Sequence, residues 1–232
     1  MEPVSVIIPT FNAVGQVEPL LTRMGHFREK YGEYVQVIVA DDASTDGTPK
    51  ELKRAYPFIE LVENKRNQGY GKNAMSGVAL AKFDYLAFLN SDIELIGNPA
   101  IDLINQLMQD KRLFAAMPLV YNRALEKVEN LQRLAPSRGL VWNTDLNAAA
   151  DWTTTIQDLL SRAGTIKQRL RDVAGKAQPM RSLLCGAAFI CRRDRFIELG
   201  GFDPQFSPFY WEDVDLGFRA RRKGWYCAVI PS

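Results

Sequence analysis

Histidine is almost absent: His26 is the only one in 232 residues. It lies in a helix-compatible stretch away from every strand end, which makes it a surface residue and sets histidine catalysis aside. Cysteine is nearly as scarce. Cys185, Cys191 and Cys227 are odd in number and show no CxxC spacing, so neither a disulfide framework nor a zinc site is indicated and a reducing compartment fits. An excess of one charge is lacking too, because 29 Lys and Arg oppose 27 Asp and Glu for a net charge of +2. With no basic or acidic tail, nucleic acid is a poor partner. Long apolar runs are missing: the first, Val4-Ser5-Val6-Ile7-Ile8, has no basic flank and is too short for a signal peptide or a membrane span. No repeat or low-complexity segment breaks the chain.

What is present is enough apolar material, 47% of residues, to fill one core near the upper end of single-domain size. Short β-branched runs recur at Val4 to Pro9, Val35 to Ala40, Ile59 to Val62, Tyr85 to Leu89 and Phe114 to Val120. Helix-compatible stretches separate the first four, which predicts an α/β fold with a mostly parallel central sheet covered by helices on both faces. Thr48-Pro49-Lys50-Glu51 reads as a capping Thr, a first-turn Pro and a Glu three residues after the cap, so a helix runs from Pro49 to about Ala55. The alternation stops after Val120. Ile156, Leu159, Leu160, Ala163, Ile166, Leu170 and Val173 then form one amphipathic helical stripe within Asp151 to Gly175. Strand character returns from Leu183 through Cys191, followed by a helix over Arg193 to Leu199, a Gly200-Gly201 break, an acidic helix and a last strand, Trp225 to Ile230.

In an open parallel sheet, ligands bind beyond the carboxyl ends of the strands. Three polar clusters fall there: Pro9-Thr10-Phe11-Asn12, Asp41 to Gly47, and Asn90-Ser91-Asp92. The second reads equally as a helix-initiating turn, although a turn has little need of two adjacent carboxylates. Asp41 or Asp42 can instead accept the imide N–H of a pyrimidine base or a ribose hydroxyl. Asp92 alone reads as part of an Asx turn, yet Mg2+ and Mn2+ often take a single protein carboxylate together with substrate phosphates. Such a cation stabilises a departing diphosphate. Asn67 to Asn73 is a Gly-rich loop before a helix, suited to phosphate but without the dinucleotide or P-loop spacing. Glu212, Asp213 and Asp215 suit the first turn of a helix, and Asp215 pairs with Arg219 at i,i+4. Three acids exceed what capping requires, and Asp213 is the candidate base for an acceptor hydroxyl.

Together, Val4 to Asn12, Val37 to Thr48, Asn67 to Gly71, Phe88 to Asp92, Gly200-Gly201-Phe202-Asp203 and Glu212 to Asp215 resemble the inverting family-2 glycosyltransferases with the GT-A fold. The resemblance covers Met1 to about Asn122 and Ser182 to Ser232. It implies a nucleotide-sugar-binding half (1–122), an insertion carrying the amphipathic helix (123–181) and an acceptor and catalytic half (182–232). It further implies a nucleotide pocket of Pro9, Thr10, Asn12, Asp41, Asn67, Gly69, Gly71, Lys72 and Ser91, with Asp42 near the ribose. Asp92 matches the last Asp of the DxD motif and implies a divalent cation, Mg2+ or Mn2+. Glu212 and Asp213 match the family's catalytic pair, with Asp213 as base. The implied activity is transfer of one sugar, with inversion, from a nucleoside-diphosphate sugar to a glycan or lipid-linked acceptor in cell-surface polysaccharide or glycoconjugate synthesis. UDP or dTDP suits an Asp at the base-binding position, and GDP stays open.

Asn90 departs from the motif by replacing its first Asp, and Met75 stands where many relatives have Asn. The metal-ligating His that relatives carry beyond the last strand has no counterpart before Ser232, so a longer native chain is expected, one whose tail could also hold a membrane attachment. Arg219 to Trp225 does not match the QxxRW motif of processive synthases, which favours single transfer. The insertion's basic residues, Arg162, Lys167, Arg169, Arg171 and Lys176, allow peripheral contact with an anionic membrane; packing on the domain or a homodimer partner is the plainer account. The expected location is the cytoplasm or the inner face of the cell membrane. Two other readings compete. A sugar nucleotidyltransferase needs a basic Gly-rich loop after the first strand, where this chain has Phe11-Asn12-Ala13-Val14-Gly15 and no Lys or Arg before Arg23. A degenerate binding or scaffold domain fits Asn90 but not the retained Glu212 and Asp213.

Overall fold

The computed structural model describes residues 2–122, 129–130, 132–137, 140–145, 179–208 and 210–230. The amphipathic stripe expected over Asp151 to Gly175 lies outside the described residues. Ten strands are described: β1 (Val4–Thr10), β2 (Val35–Asp41), β3 (Glu60–Glu63), β4 (Tyr85–Leu89), β5 (Leu113–Met117), β6 (Gln132–Ser137), β7 (Leu140–Asp145), β8 (Met180–Arg181), β9 (Ala188–Arg192) and β10 (Tyr226–Val229). The helices are α1 (Val14–Tyr31), α2 (Thr48–Ala55), α3 (Tyr70–Val78), α4 (Ala100–Gln109), α5 (Arg193–Glu198) and α6 (Glu212–Arg222). Eight strands form one sheet in the order β3-β2-β1-β4-β9-β5-β10-β8, and β6 pairs antiparallel with β7 separately.

The first four strands are parallel, with Thr10 opposite Asp41 and Ile7 opposite Phe88. β9 then runs antiparallel between β4 and β5, so the sheet is mixed, although mostly parallel as expected. Period-2 alternation distributes the core. Val4, Val6, Ile8, Val37, Val39, Ala87 and Ile190 face the layer that holds Leu20, Leu21 and Leu107 of α1 and α4. Ile7, Ile38, Leu86, Phe88, Phe189 and Cys191 face Ala74, Phe196 and Leu216 of α3, α5 and α6. Burial on both faces explains why the strands read as continuous apolar runs. Each fully buried Val, Leu, Ile or Phe contributes about 1.5–3 kcal/mol relative to exposure.

Two local features differ from the sequence reading. Thr48 is the first residue of α2 rather than its cap. Gly47 holds the cap position at φ +89°, while the Asp46 carboxylate accepts both the Thr48 N–H (2.9 Å) and its hydroxyl (2.5 Å). Asp therefore satisfies the free helix-end donor that the pattern assigned to Thr. The strand character from Leu183 also resolves into a loop through Ala187 before β9 begins. Asp215 and Arg219 do pair, at 2.7 Å. His26 is exposed on α1, and the three cysteines are free thiols. Among the described residues, no helix is long and apolar enough to cross a membrane.

Candidate active site

Strand direction places the polar clusters on one edge of the sheet. Thr10, Asp41 and Asn90 end or follow parallel strands, and because β9 is antiparallel with Ala188 opposite Leu89, the loop before β9 arrives at the same edge. Strand order reverses between β1 and β4, where a crevice opens in such sheets.

The exits of β1 and β2 are tied together by side chains. Asp41 is 1% exposed, and its carboxylate accepts the Ser44 N–H (2.9 Å) and hydroxyl (2.5 Å) and, more weakly, the Thr10 hydroxyl (3.4 Å). Asn12, at φ +47°, donates its N–H to the Ser44 hydroxyl and accepts the Thr45 N–H on its side-chain oxygen, both at 2.8 Å. Asp42 is 2% exposed. It accepts the N–H groups of Gln68 and Gly69 and the Asn64 amide, all at 2.9–3.1 Å. As placed, Asp42 shapes the Gly-rich loop, and a direct contact with ribose would require that loop to move. Asn73, also buried, donates to the carbonyls of Ala40 (2.8 Å) and Thr10 (3.3 Å) and accepts from Asn64.

The loop at Gly69 is close-packed. Its φ of +84° favours glycine, and a Cβ there would lie 2.4 Å from the Pro208 carbonyl oxygen. Tyr70 N–H donates to that oxygen at 2.9 Å, and the Ser207 hydroxyl donates to Gln68 O at 2.8 Å. The Gly-rich loop is thus joined to the segment that leads into the acidic helix. Phe202, following Gly200-Gly201, explains that motif: its ring lies among Phe88, Phe189 and Phe196 and meets Tyr70 edge-on at 5.8 Å. Gly71 is half-buried, whereas Asn67, Lys72 and Asp92 are exposed; Pro9 is buried and Ser91 half-buried.

α6 opens at Trp211, held at φ +75° and 52% exposed. Arg219 engages Asp215, leaving Glu212 and Asp213 for chemistry. Asp213 Oδ2 accepts the Gly186 N–H at 2.6 Å, and Oδ1 accepts the Val214 N–H at 2.7 Å. Burial pushes the Asp213 carboxyl above its ordinary range, against the opposing pull of those N–H donors. Glu212 is raised as well, by burial and then by the Asp213 charge. Carboxyl groups raised in this way are suited to general-base chemistry.

At the β4 exit and the start of α6, the buried Asn90 Oδ1 and Glu212 Oε2 have no hydrogen-bond partner among the described residues. Unpaired buried oxygens are costly, and hydroxyl or N–H donors of a bound ligand would satisfy them. The Asn90 N–H donates to Ala187 O at 2.9 Å, so the β4 exit meets the same short loop that holds Asp213. Asp92, an exposed carboxylate on the turn closed by Ile93 N–H to Asn90 O, suits a hard divalent cation that also takes phosphate oxygens. Among the described residues no group of three His, Cys, Asp or Glu forms a self-sufficient metal cage.

Sequence reasoning passed over Asn64, Tyr70 and Gly186. Tyr70 lies within the Gly-rich loop, where no local pattern marks it, and Gly186 carries no local signal because its importance comes from Asp213 and Tyr70.

A mixed, mostly parallel sheet flanked by helices, with strand order reversing between β1 and β4, is the GT-A fold, which the similar solved structures share. A mannosyltransferase from Pyrobaculum calidifontis, in complex with GDP-Man and Mn2+, superposes with a TM-score of 0.65 at 17% identity, covering 99% of this chain and 57% of that one. GalNAc-T7 with UDP, GalNAc and Mn2+ gives a TM-score of 0.69 at 19% identity, covering 100% and 43%. The model of glycosyl transferase family 2 matches residues 5–174, and the chain belongs to that family. Among curated relatives, an N-acetylglucosaminyl-diphospho-decaprenol L-rhamnosyltransferase of Mycobacterium tuberculosis (strain CDC 1551 / Oshkosh) is 28% identical over 85% of this chain and 64% of its own length. The chondroitin synthase of Pasteurella multocida (strain Pm70) is 25% identical over 97% of this chain and 24% of its own. The chain therefore spans under two thirds of these relatives.

Proposed function

We propose that this chain moves one sugar from a nucleoside-diphosphate sugar, with UDP or dTDP as the nucleotide, to a hydroxyl of a glycan or lipid-linked acceptor, inverting the anomeric centre. The observation that carries this reading is the Asp213 carboxylate, raised by burial, oriented by the Gly186 N–H and joined through one loop to the β4 exit. In this reading Asp213 takes the proton from the acceptor hydroxyl as its oxygen attacks the anomeric carbon. The bond to the diphosphate breaks on the opposite face, and Glu212 Oε2 accepts a sugar hydroxyl. Thr10, Asn12, Asp41 and the loop of Asn67, Gly69, Gly71 and Lys72 frame the nucleotide, with Asp42 holding that loop in place. A divalent cation, Mg2+ or Mn2+, anchored by Asp92 and the adjoining Ser91 turn would neutralise charge on the leaving diphosphate.

The acceptor in the mycobacterial relative's name supports a lipid-diphosphate-linked sugar as acceptor, and with it we place the activity in cell-surface glycan synthesis at the inner face of the membrane. The test is transfer from UDP- and dTDP-sugars to synthetic polyprenyl-diphosphate sugars, with the anomeric configuration of the product read by NMR. Retention of configuration, or transfer unaffected by Asp213→Asn, would exclude this mechanism. A second reading, a domain that binds the sugar nucleotide without turnover, draws on Asn90 in place of an acid. Nucleotide binding with no transfer in the full native polypeptide would favour it.

A further inference from the structure

Tyr70 and Asp213 hold Gly186 from two sides. The Tyr70 hydroxyl donates to Gly186 O at 3.2 Å, and the Gly186 N–H donates to Asp213 Oδ2 at 2.6 Å. These groups belong to the two peptide units that meet at the Gly186 Cα, so the bond to its C=O limits how far the residue turns within the loop and, with it, where its N–H points. Glycine has the widest backbone freedom of any residue, and an unrestrained Gly186 would swing its N–H away from the carboxylate. It is also the residue that lets the carboxylate approach, since a Cβ at 186 would lie 3.2 Å from Asp213 Oδ2.

Tyr70 is itself well fixed. Its ring rests edge-on against Phe202 at 5.8 Å, its N–H donates to Pro208 O, and the preceding Gly69 N–H is held by Asp42. Burial and the nearby Asp213 and Glu212 charges push the phenol upward, so it stays a donor across the whole working range of pH.

We propose that Tyr70 is a positioning residue, clamping Gly186 so that the loop on the donor side of the crevice sets the placement of the Asp213 carboxylate. The assignment rests on Asp213 as the base of the reaction proposed above. Among the described residues, the titratable groups that interact with Asp213 are Glu212 on its own helix, Tyr70 at the start of α3, Cys185 in the loop before β9 and Cys227 on β10.

Tyr70→Phe keeps the ring against Phe202 and removes only the hydroxyl. The carboxyl carbon of Asp213, assigned through Asp213→Asn, is titrated by 13C NMR in the wild type and in Tyr70→Phe, and the acid limb of kcat is recorded beside it. Loss of the restraint on the Gly186 N–H raises the Asp213 midpoint by about half a pH unit or more, and the acid limb follows. Gly186→Ala, which displaces the carboxylate directly, moves the midpoint in the same sense. An Asp213 midpoint within about 0.2 unit of wild type in Tyr70→Phe overturns the clamp, whether or not the variant is less stable. A shifted midpoint in a protein that transfers no sugar upholds the clamp and removes the transferase reading instead.

Discussion

The Asp42 carboxylate accepts the backbone N–H of Gly69 at 2.9 Å, a buried bond between residues 27 apart in the sequence. With the Gln68 N–H and the Asn64 amide on the same carboxylate, one side chain shapes the turn that leads into α3. Asp42→Asn turns an NH2 group toward donors. The expected cost is about 1–3 kcal/mol, the penalty for a buried hydrogen bond left unmade, together with weaker nucleotide binding. Urea unfolding and calorimetric titration measure both. Unchanged nucleotide affinity would separate Asp42 from the pocket.

Asp213→Asn keeps an oxygen for the Gly186 N–H but cannot take a proton. The transfer rate is expected to fall by about 10²–10⁴-fold, the usual contribution of a general base, while donor binding persists. Initial rates at saturating donor and acceptor, with nucleotide affinity measured separately, give the split. A loss confined to binding would argue against the base assignment.

Burial raises Asp213 and Glu212 above their ordinary values of 3.8 and 4.5, so between those values and the raised ones the folded chain binds more protons than the unfolded chain. Stability then falls as pH rises through that window. The penalty is absent below the unfolded pKa and complete above the folded one. Asp213→Asn should therefore melt higher than wild type at neutral pH, with the difference vanishing in acid. Tm against pH for the two proteins checks this, and a gap that widens in acid would contradict it.

Phe202 is 3% exposed and touches Phe88, Phe189, Phe196 and Tyr70. Phe202→Ala should cost about 3–5 kcal/mol, as large truncations in cores do. It also removes the ring that seats Tyr70, so in the fraction that remains folded the acid limb of kcat should shift as in Tyr70→Phe. Chemical denaturation and the pH–rate profile test the two effects independently.

Much of the fold was legible because β-branched runs and period-2 burial are local signals. Val35–Asp41 and Tyr85–Leu89 are visible before any pairing is known. The antiparallel insertion of Ala188–Arg192 between β4 and β5 is not, since strand order is decided by tertiary packing. The site divides in the same way. Asp213 and Asp92 stand out as carboxylates at element ends, whereas Tyr70 matters through a bond to a residue 116 positions away that no local pattern announces. Asp46 acting for Thr48 at the start of α2 shows the same limit at short range, because Asp, Ser and Thr are all adequate caps and the backbone path selects among them.

Binding of the donor nucleotide tests the central claim most directly. Wild type and Asp92→Asn are each titrated with UDP, dTDP, GDP and CMP, with and without Mn2+, and followed by thermal unfolding. A ligand at 100 times its Kd adds about 2.7 kcal/mol of stability. The account predicts stabilisation by a single nucleoside diphosphate, dependent on Mn2+ and lost in Asp92→Asn. Stabilisation by none of the four, or by a diphosphate equally well without Mn2+ and without the Asp92 carboxylate, would contradict it.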